Sequence, residues 1–162
     1  MLKKIGYGFL AALVIAQFIR PSRNQSEGPF PNDISNKVTI PADVATILKT
    51  SCNDCHSNNT HYPWYAMVQP LGWWLQRHVN EGKEHLNFNE FASYSAKKQD
   101  HKLEEVAETV TNGEMPLTSY TFIHRGAKLS AEQVAALQKW VTESRTLYRT
   151  PEQPAGENGV AK

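Results

Sequence analysis

Residues Cys52-Asn53-Asp54-Cys55-His56 form a C-x-x-C-H pentapeptide, and the sequence holds no other cysteine. This spacing suits two thioether bonds to the vinyl groups of one haem, with the adjacent histidine placed to ligate its iron. Three other readings compete. A dithiol redox pair of the thioredoxin type sits near a βαβ pattern, and none is visible. A zinc site needs four protein ligands. His56 and His61 have finger-like spacing, but they start beside Cys55 instead of a finger-length away. A plain structural disulfide, or coincidence, is the remaining alternative.

Outward from the pentapeptide the signals are helical. Upstream, Pro41 suits a first helical turn, and Val44, Ile47 and Leu48 make an i, i+3, i+4 stripe leading into Cys52. Downstream, the run from Pro70 predicts a helix with Leu71, Trp74, Leu75, His78 and Val79 on one face. From about Ser95 to Asn112, Leu103, Val106, Ala107 and Val110 make another stripe, and Gly113 supplies the stop. Ser130 and Gln133 form a capping box opening a helix to about Tyr148, with Val134, Leu137, Val141 and Tyr148 near one face and Trp140 beside them. No window alternates well enough to be a strand. The expected fold class is all-α: a cytochrome c-like helical domain around one covalent haem.

The 162 residues allow one domain plus appendages. The net charge is +1 with acids and bases interspersed, so nothing argues for nucleic acid as a partner. At 40% hydrophobic, with four Trp, six Tyr and six Phe, the chain fits a globular domain with an apolar interior.

Lys3 and Lys4 precede an apolar run from Ile5 to Ile19, closed by Arg20 and Arg23. A charged start and an apolar stretch resemble a signal peptide, but no small-x-small cleavage site follows. Residues 1–20 are therefore expected as a signal anchor, or a signal peptide, although the run is short of the ~20 residues that span a bilayer comfortably. Either way the body is expected outside the cytoplasm: on the periplasmic face of the bacterial inner membrane, or in the periplasm if the leader is cleaved. Residues 21–37, with Pro21, Gly28-Pro29 and Pro31, read as a flexible linker. Residues 38–149 form the expected haem-binding domain, and 150–162 a disordered tail.

His56 is the expected proximal ligand. Among three methionines, Met115 has the best context for the other axial position. It lies just past a helix stop, precedes Pro116, and is 59 residues from His56, far enough to approach the opposite haem face. His/Met ligation is common in electron-carrying cytochromes and raises the potential. A core filler is the bland reading of any methionine. A histidine, His78 or His124, or an open site are the alternatives. His61, His85 and His101 are set aside as too close or solvated. Tyr62, Trp64, Tyr65, Trp73 and Trp74 are expected to wall the haem, with Arg77 or Arg125 pairing a propionate.

The run Cys52 to Thr60, followed by Tyr62-Pro63-Trp64-Tyr65, resembles a family of small bacterial haem-binding domains related to mono-haem cytochrome c. Matching stretches include Pro70 with Trp73-Trp74, His78 to Gly82, Leu86-Asn87-Phe88, and Gly113 to Leu117 with Tyr120 and His124. The resemblance covers about residues 45 to 142. It implies an exported protein, often anchored, with haem c attached at Cys52 and Cys55, His56 proximal and Met115 distal. It implies no particular partner.

The leading expectation is a membrane-tethered electron carrier, more an electron-transfer protein than an enzyme. Its iron would cycle between Fe(III) and Fe(II) against transient redox partners. A peroxidase-like haem enzyme, or a haem-based sensor of small ligands, would need an open or displaceable distal site.

Overall fold

The computed structural model describes residues 2–148. It contains seven α-helices and no strand among the described residues: α1 Leu2–Ala16, α2 Ala42–Ser51, α3 Asn53–His56, α4 Leu71–His85, α5 Ala96–Thr111, α6 Thr118–Ile123 and α7 Ala131–Arg145. Short 3-10 turns lie at Ile34–Asn36, Trp64–Met67, Phe88–Ser93 and Arg125–Ala127. The all-α expectation holds. The expected disordered tail, 150–162, lies outside the described residues.

The helix boundaries follow local chemistry. Ser95 accepts a hydrogen bond from the Lys98 amide and starts α5. Gly113, at φ 74°, ends it in the left-handed conformation that glycine adopts without a Cβ penalty. The Glu114 and Met115 amides turn back to donate to the Thr109 carbonyl. The Ser130–Gln133 capping box is present in both directions at the start of α7.

Helices α5 and α7 pack along each other, and α2 packs on both α3 and α7. Their shared core holds Val44, Ile47, Leu48, Leu103, Leu137 and Val141, all buried. Arg145 of α7 ties the pair at its far end, donating to both Asp100 oxygens at 2.7 and 3.0 Å and to Glu104 at 2.8 Å.

Helix α4 departs in part from the expected orientation, for Val79 is buried and Leu75 and His78 half-buried as expected, but the other positions differ. Its buried residues are Gly72, Gln76 and Val79, while Leu71 and Trp74 of the expected apolar face remain exposed. The reason is close approach. A Cβ at Gly82 would stand 2.7 Å from the Cys55 carbonyl oxygen, and one at Gly72 only 2.4 Å from that of Ala66. Small residues thus face inward so that α4 can press against α3 and the 64–67 turn.

The stretch 21–37, expected as a flexible linker, is instead laid on the domain. Ile34 is 3% exposed and inside the core, next to Val38, the first residue of the expected domain, which is buried as well. Asn24 donates to the Ser57 carbonyl at 2.8 Å and Thr60 Oγ1 at 2.9 Å, and a lone antiparallel bridge pairs Gln25 with Asn59. Along this strap Ile34 is buried and Phe30 half-buried, while Pro29 and Pro31 stay exposed.

The apolar run expected as an anchor does form a helix, α1, with no buried residue. At 15 residues it is short, and no helix among the described residues is long and apolar enough to cross a membrane.

Candidate functional site: a cavity lined by the pentapeptide

Helix α2 ends at Ser51, and the chain turns at Cys52 into the single helical turn of α3, which carries Cys55 and His56. Both thiols and the imidazole line one cavity of about 620 Å³. Its other walls come from α4 through His78 and Gly82, from Leu86 and Phe88, from Val106 and Val110 of α5, and from Met115-Pro116-Leu117.

Of the sequence-predicted site residues, Cys52, Cys55, His56, Met115 and His78 come together on this cavity. His124 does not. It lines a smaller neighbouring cavity of about 40 Å³ with Tyr65, Trp74 and Ile123. The expected aromatic wall is absent from the large cavity: Trp64, Trp73 and Trp74 are exposed on the outside of the domain. Neither expected propionate partner lines the large cavity. Arg77 pairs with Glu81 at 2.7 Å on the surface, and Arg125 is exposed. The lysine that does line it is Lys102, paired with Glu105, and the exposed His85 lies on the same wall.

His56 is half-buried and meets Phe88 edge-on, with ring centroids 6.3 Å apart. Its Nδ1 lies 2.9 Å from the Leu86 carbonyl oxygen. A carbonyl only accepts, so Nδ1 carries the proton and Nε2 is left with its lone pair, the tautomer that a metal-ligating histidine needs. Burial pulls its pKa below the ordinary imidazole range, while the Leu86 and Gly82 carbonyls act the other way.

The thiols are shifted in the opposite sense to reactive cysteines. Burial, with Cys55 beside it, pushes Cys52 up to about 12; burial and the Asp54 carboxylate push Cys55 up to about 11. Redox-active and zinc-binding cysteines depend on thiolates. No group of three or more His, Cys, Asp or Glu side chains that could hold a metal ion occurs among the described residues. Among the described residues neither the dithiol nor the zinc reading gains a further observation.

A half-buried polar cluster braces the pentapeptide from behind. Tyr120 Oη donates to Asp54 Oδ2 at 2.7 Å, and the His61 amide donates to Asp54 Oδ1 at 3.0 Å. Thr60 Oγ1 donates to the Asp54 carbonyl at 2.6 Å. Burial and the Asp54 carboxylate raise the Tyr120 pKa well above the ordinary tyrosine range. His124 packs against Tyr120 at a tilt of 56° with centroids 4.4 Å apart, and its Nε2 is 3.3 Å from Tyr65 Oη. Its Nδ1 is buried without a hydrogen-bond partner.

Reading the residues singly missed the roles of Leu86, Gly82 and Asp54. Leu86 acts through its backbone, which no side-chain pattern reports. A lone glycine inside a polar helix was the available signal for Gly82.

The residues fit a haem. The donor set pairs two thiols with an imidazole, and the cavity is of small-cofactor size, its surface mostly apolar although Asp54, Glu81, Glu105, Glu108 and Glu114 also line it. What these helices and this cavity define is a cofactor-holding helical domain. Residues 11–143 match the family described as haem-binding domain, and the chain belongs to it. No curated protein and no solved structure matches the chain.

Proposed function

We propose that this haem-binding domain carries one haem c, bonded through Cys52 and Cys55, and works as a membrane-tethered, periplasmic electron carrier. The observation that carries the reading is the shared cavity. Both thiols, an imidazole with Nε2 free and the Met115 thioether line it together. Each thiol would add across one vinyl group, its sulfur bonding to carbon and its hydrogen passing to the neighbouring carbon, so no oxidant is required. When bound, the haem supplies a one-electron Fe(III)/Fe(II) couple.

The chain's own residues do the rest. Leu86 holds the His56 ring in the tautomer that offers Nε2. Met115 stands on the backbone that turns at Gly113 and is anchored to Thr109, so its position is fixed by α5. The apolar side chains of Leu86, Phe88, Val106 and Val110 would limit solvent access to the haem, and the lower dielectric there would help set its potential. Helix α1 would hold the domain at the membrane and raise the local concentration of redox partners.

His78 supports a second reading. Its Nδ1 is 2.8 Å from the Trp74 carbonyl, so Nε2 is the free nitrogen, and it lines the same cavity. With a displaceable Met115, His78 would serve an enzyme or sensor as distal ligand or acid/base group.

The purified ferric protein distinguishes the two. The carrier reading requires a low-spin spectrum with a methionine-to-iron charge-transfer band that disappears in Met115→Ala. A high-spin wild type, or a band that survives the substitution, overturns it. Haem staining of the boiled, denatured chain, lost in Cys52→Ser/Cys55→Ser, tests covalent attachment.

A further inference from the structure

Apart from α1 and its immediate end, the large apolar side chains left exposed gather at one end of the domain. Trp64, Met67, Val68, Leu71, Trp73 and Trp74 come from the 64–67 turn and the first turn of α4. Phe122 and Ile123 come from the end of α6, and Leu147 is the one exception among the described residues. The two groups adjoin: Tyr65 contacts the His124 ring, and Trp74 and Ile123 line the same small cavity. Three of the chain's four tryptophans lie in this patch, with Trp64 80% exposed. Scattered exposed apolar residues need no explanation, but a contiguous aromatic patch does.

Helix α1 departs from this same end. The Gln17 side chain donates to the Gln69 carbonyl at 3.1 Å and accepts from the Gln69 amide at 2.9 Å. The Trp73 indole N–H donates to the Ile19 carbonyl at 2.8 Å. The apolar helix and the aromatic patch are therefore joined through hydrogen bonds, with Arg20 and Arg23 at the junction. At ~1.5 Å per residue α1 is roughly 22 Å long, against about 30 Å of hydrocarbon.

We propose that this end of the domain docks on the membrane itself. Trp64, Trp73, Trp74, Phe122 and Ile123 enter the headgroup–acyl boundary of an anionic bilayer beside α1. Indole suits that boundary, with an apolar body and one N–H donor. Arg20 and Arg23 meet the phosphates at the same depth. Sinking the aromatic end into the interface compensates for a helix too short to span. The domain is then held at the surface at one orientation instead of swinging on a tether. This rests on the membrane reading of α1, and it adds a second contact and a defined partner.

The test uses the full-length, haem-loaded chain with phosphatidylethanolamine–phosphatidylglycerol vesicles carrying a photoactivatable acyl chain. Lipid-modified peptides are located by mass spectrometry after irradiation. The expected adducts fall in residues 64–74 and 119–124 as well as in 2–19, and spare 96–111. In Trp64→Ser/Phe122→Ser, both exposed positions whose replacement leaves the core intact, the domain adducts are lost while those in 2–19 remain. Adducts confined to 2–19 overturn the docking face and leave the tether standing. Adducts nowhere overturn both. Chain-to-chain crosslinks through 64–74 in place of lipid adducts would make the patch a contact between copies, and also overturn the proposal.

Discussion

The Tyr120 hydroxyl, on α6, donates to the carboxylate of Asp54, inside the pentapeptide, across 2.7 Å. This bond links the chain after Met115 to the segment that carries Cys55 and His56, so both sides of the cavity are braced by one contact. A hydrogen bond to a charged acceptor is worth about 1.5–3 kcal/mol. Tyr120→Phe is expected to lose that amount in chemical denaturation at pH 7. Because the folded state raises the Tyr120 pKa above its unfolded value, the contribution is complete below about pH 10 and falls as pH rises through the alkaline range. The wild-type advantage over Tyr120→Phe should therefore shrink between pH 10 and 12. An advantage that grows with pH would contradict the assignment.

Gly82→Ala inverts the usual helix rule. Replacing a helical glycine by alanine ordinarily gains up to about 1 kcal/mol. Here the new Cβ would meet the Cys55 carbonyl oxygen at 2.7 Å and the Cys55 Cβ at 3.0 Å. Helix α4 must then move off α3, at a cost of about 1–3 kcal/mol for overpacking. A lower denaturation midpoint and less haem retained per chain are expected. A more stable variant would show that the close approach is not required.

The strap is tested by truncation. A chain beginning at residue 20 loses the Gln17–Gln69 bonds and keeps its core, so it should unfold cooperatively near the full-length midpoint. A chain beginning at residue 38 loses the buried Ile34 as well, worth about 1.5–3 kcal/mol. It should be markedly less stable by thermal unfolding. Equal stability of the two would return residues 21–37 to the role of a linker.

Arg145→Met addresses the α5–α7 pair. The guanidinium makes a two-pronged contact with Asp100 and a third bond to Glu104, partly screened by solvent. The expected loss is about 1 kcal/mol, shrinking in high salt. Because the clasp is remote from the cavity, the haem spectrum should not change. A spectral shift would reveal coupling that the geometry does not contain.

The helices were legible because their determinants are local. Ser95, Gly113, Ser130 and Gln133 punctuate α5 and α7 through neighbours a few residues away, and the Leu103 and Leu137 stripes repeat with helical period. The orientation of α4 was not legible, since periodicity cannot tell a face pressed against protein from one left outside. Leu71 and Trp74 score as core on any apolar count, yet Gly72 and Gly82 face inward because only they permit contact at that distance. The same ambiguity sent the tryptophans to a haem wall they do not line.

By itself, then, the sequence determined the pentapeptide, the helical class and Met115 as a distal candidate, all carried by spacing along the chain. Only the tertiary structure decided that Met115 and His78 share the cavity of His56 while His124 does not. It also decided that Leu86 selects the imidazole tautomer, and that Ile34 and Val38 belong to the core. These depend on contacts between residues far apart in sequence. Burial rewards any apolar side chain wherever it lands, so where each one lands is settled only when the helices pack.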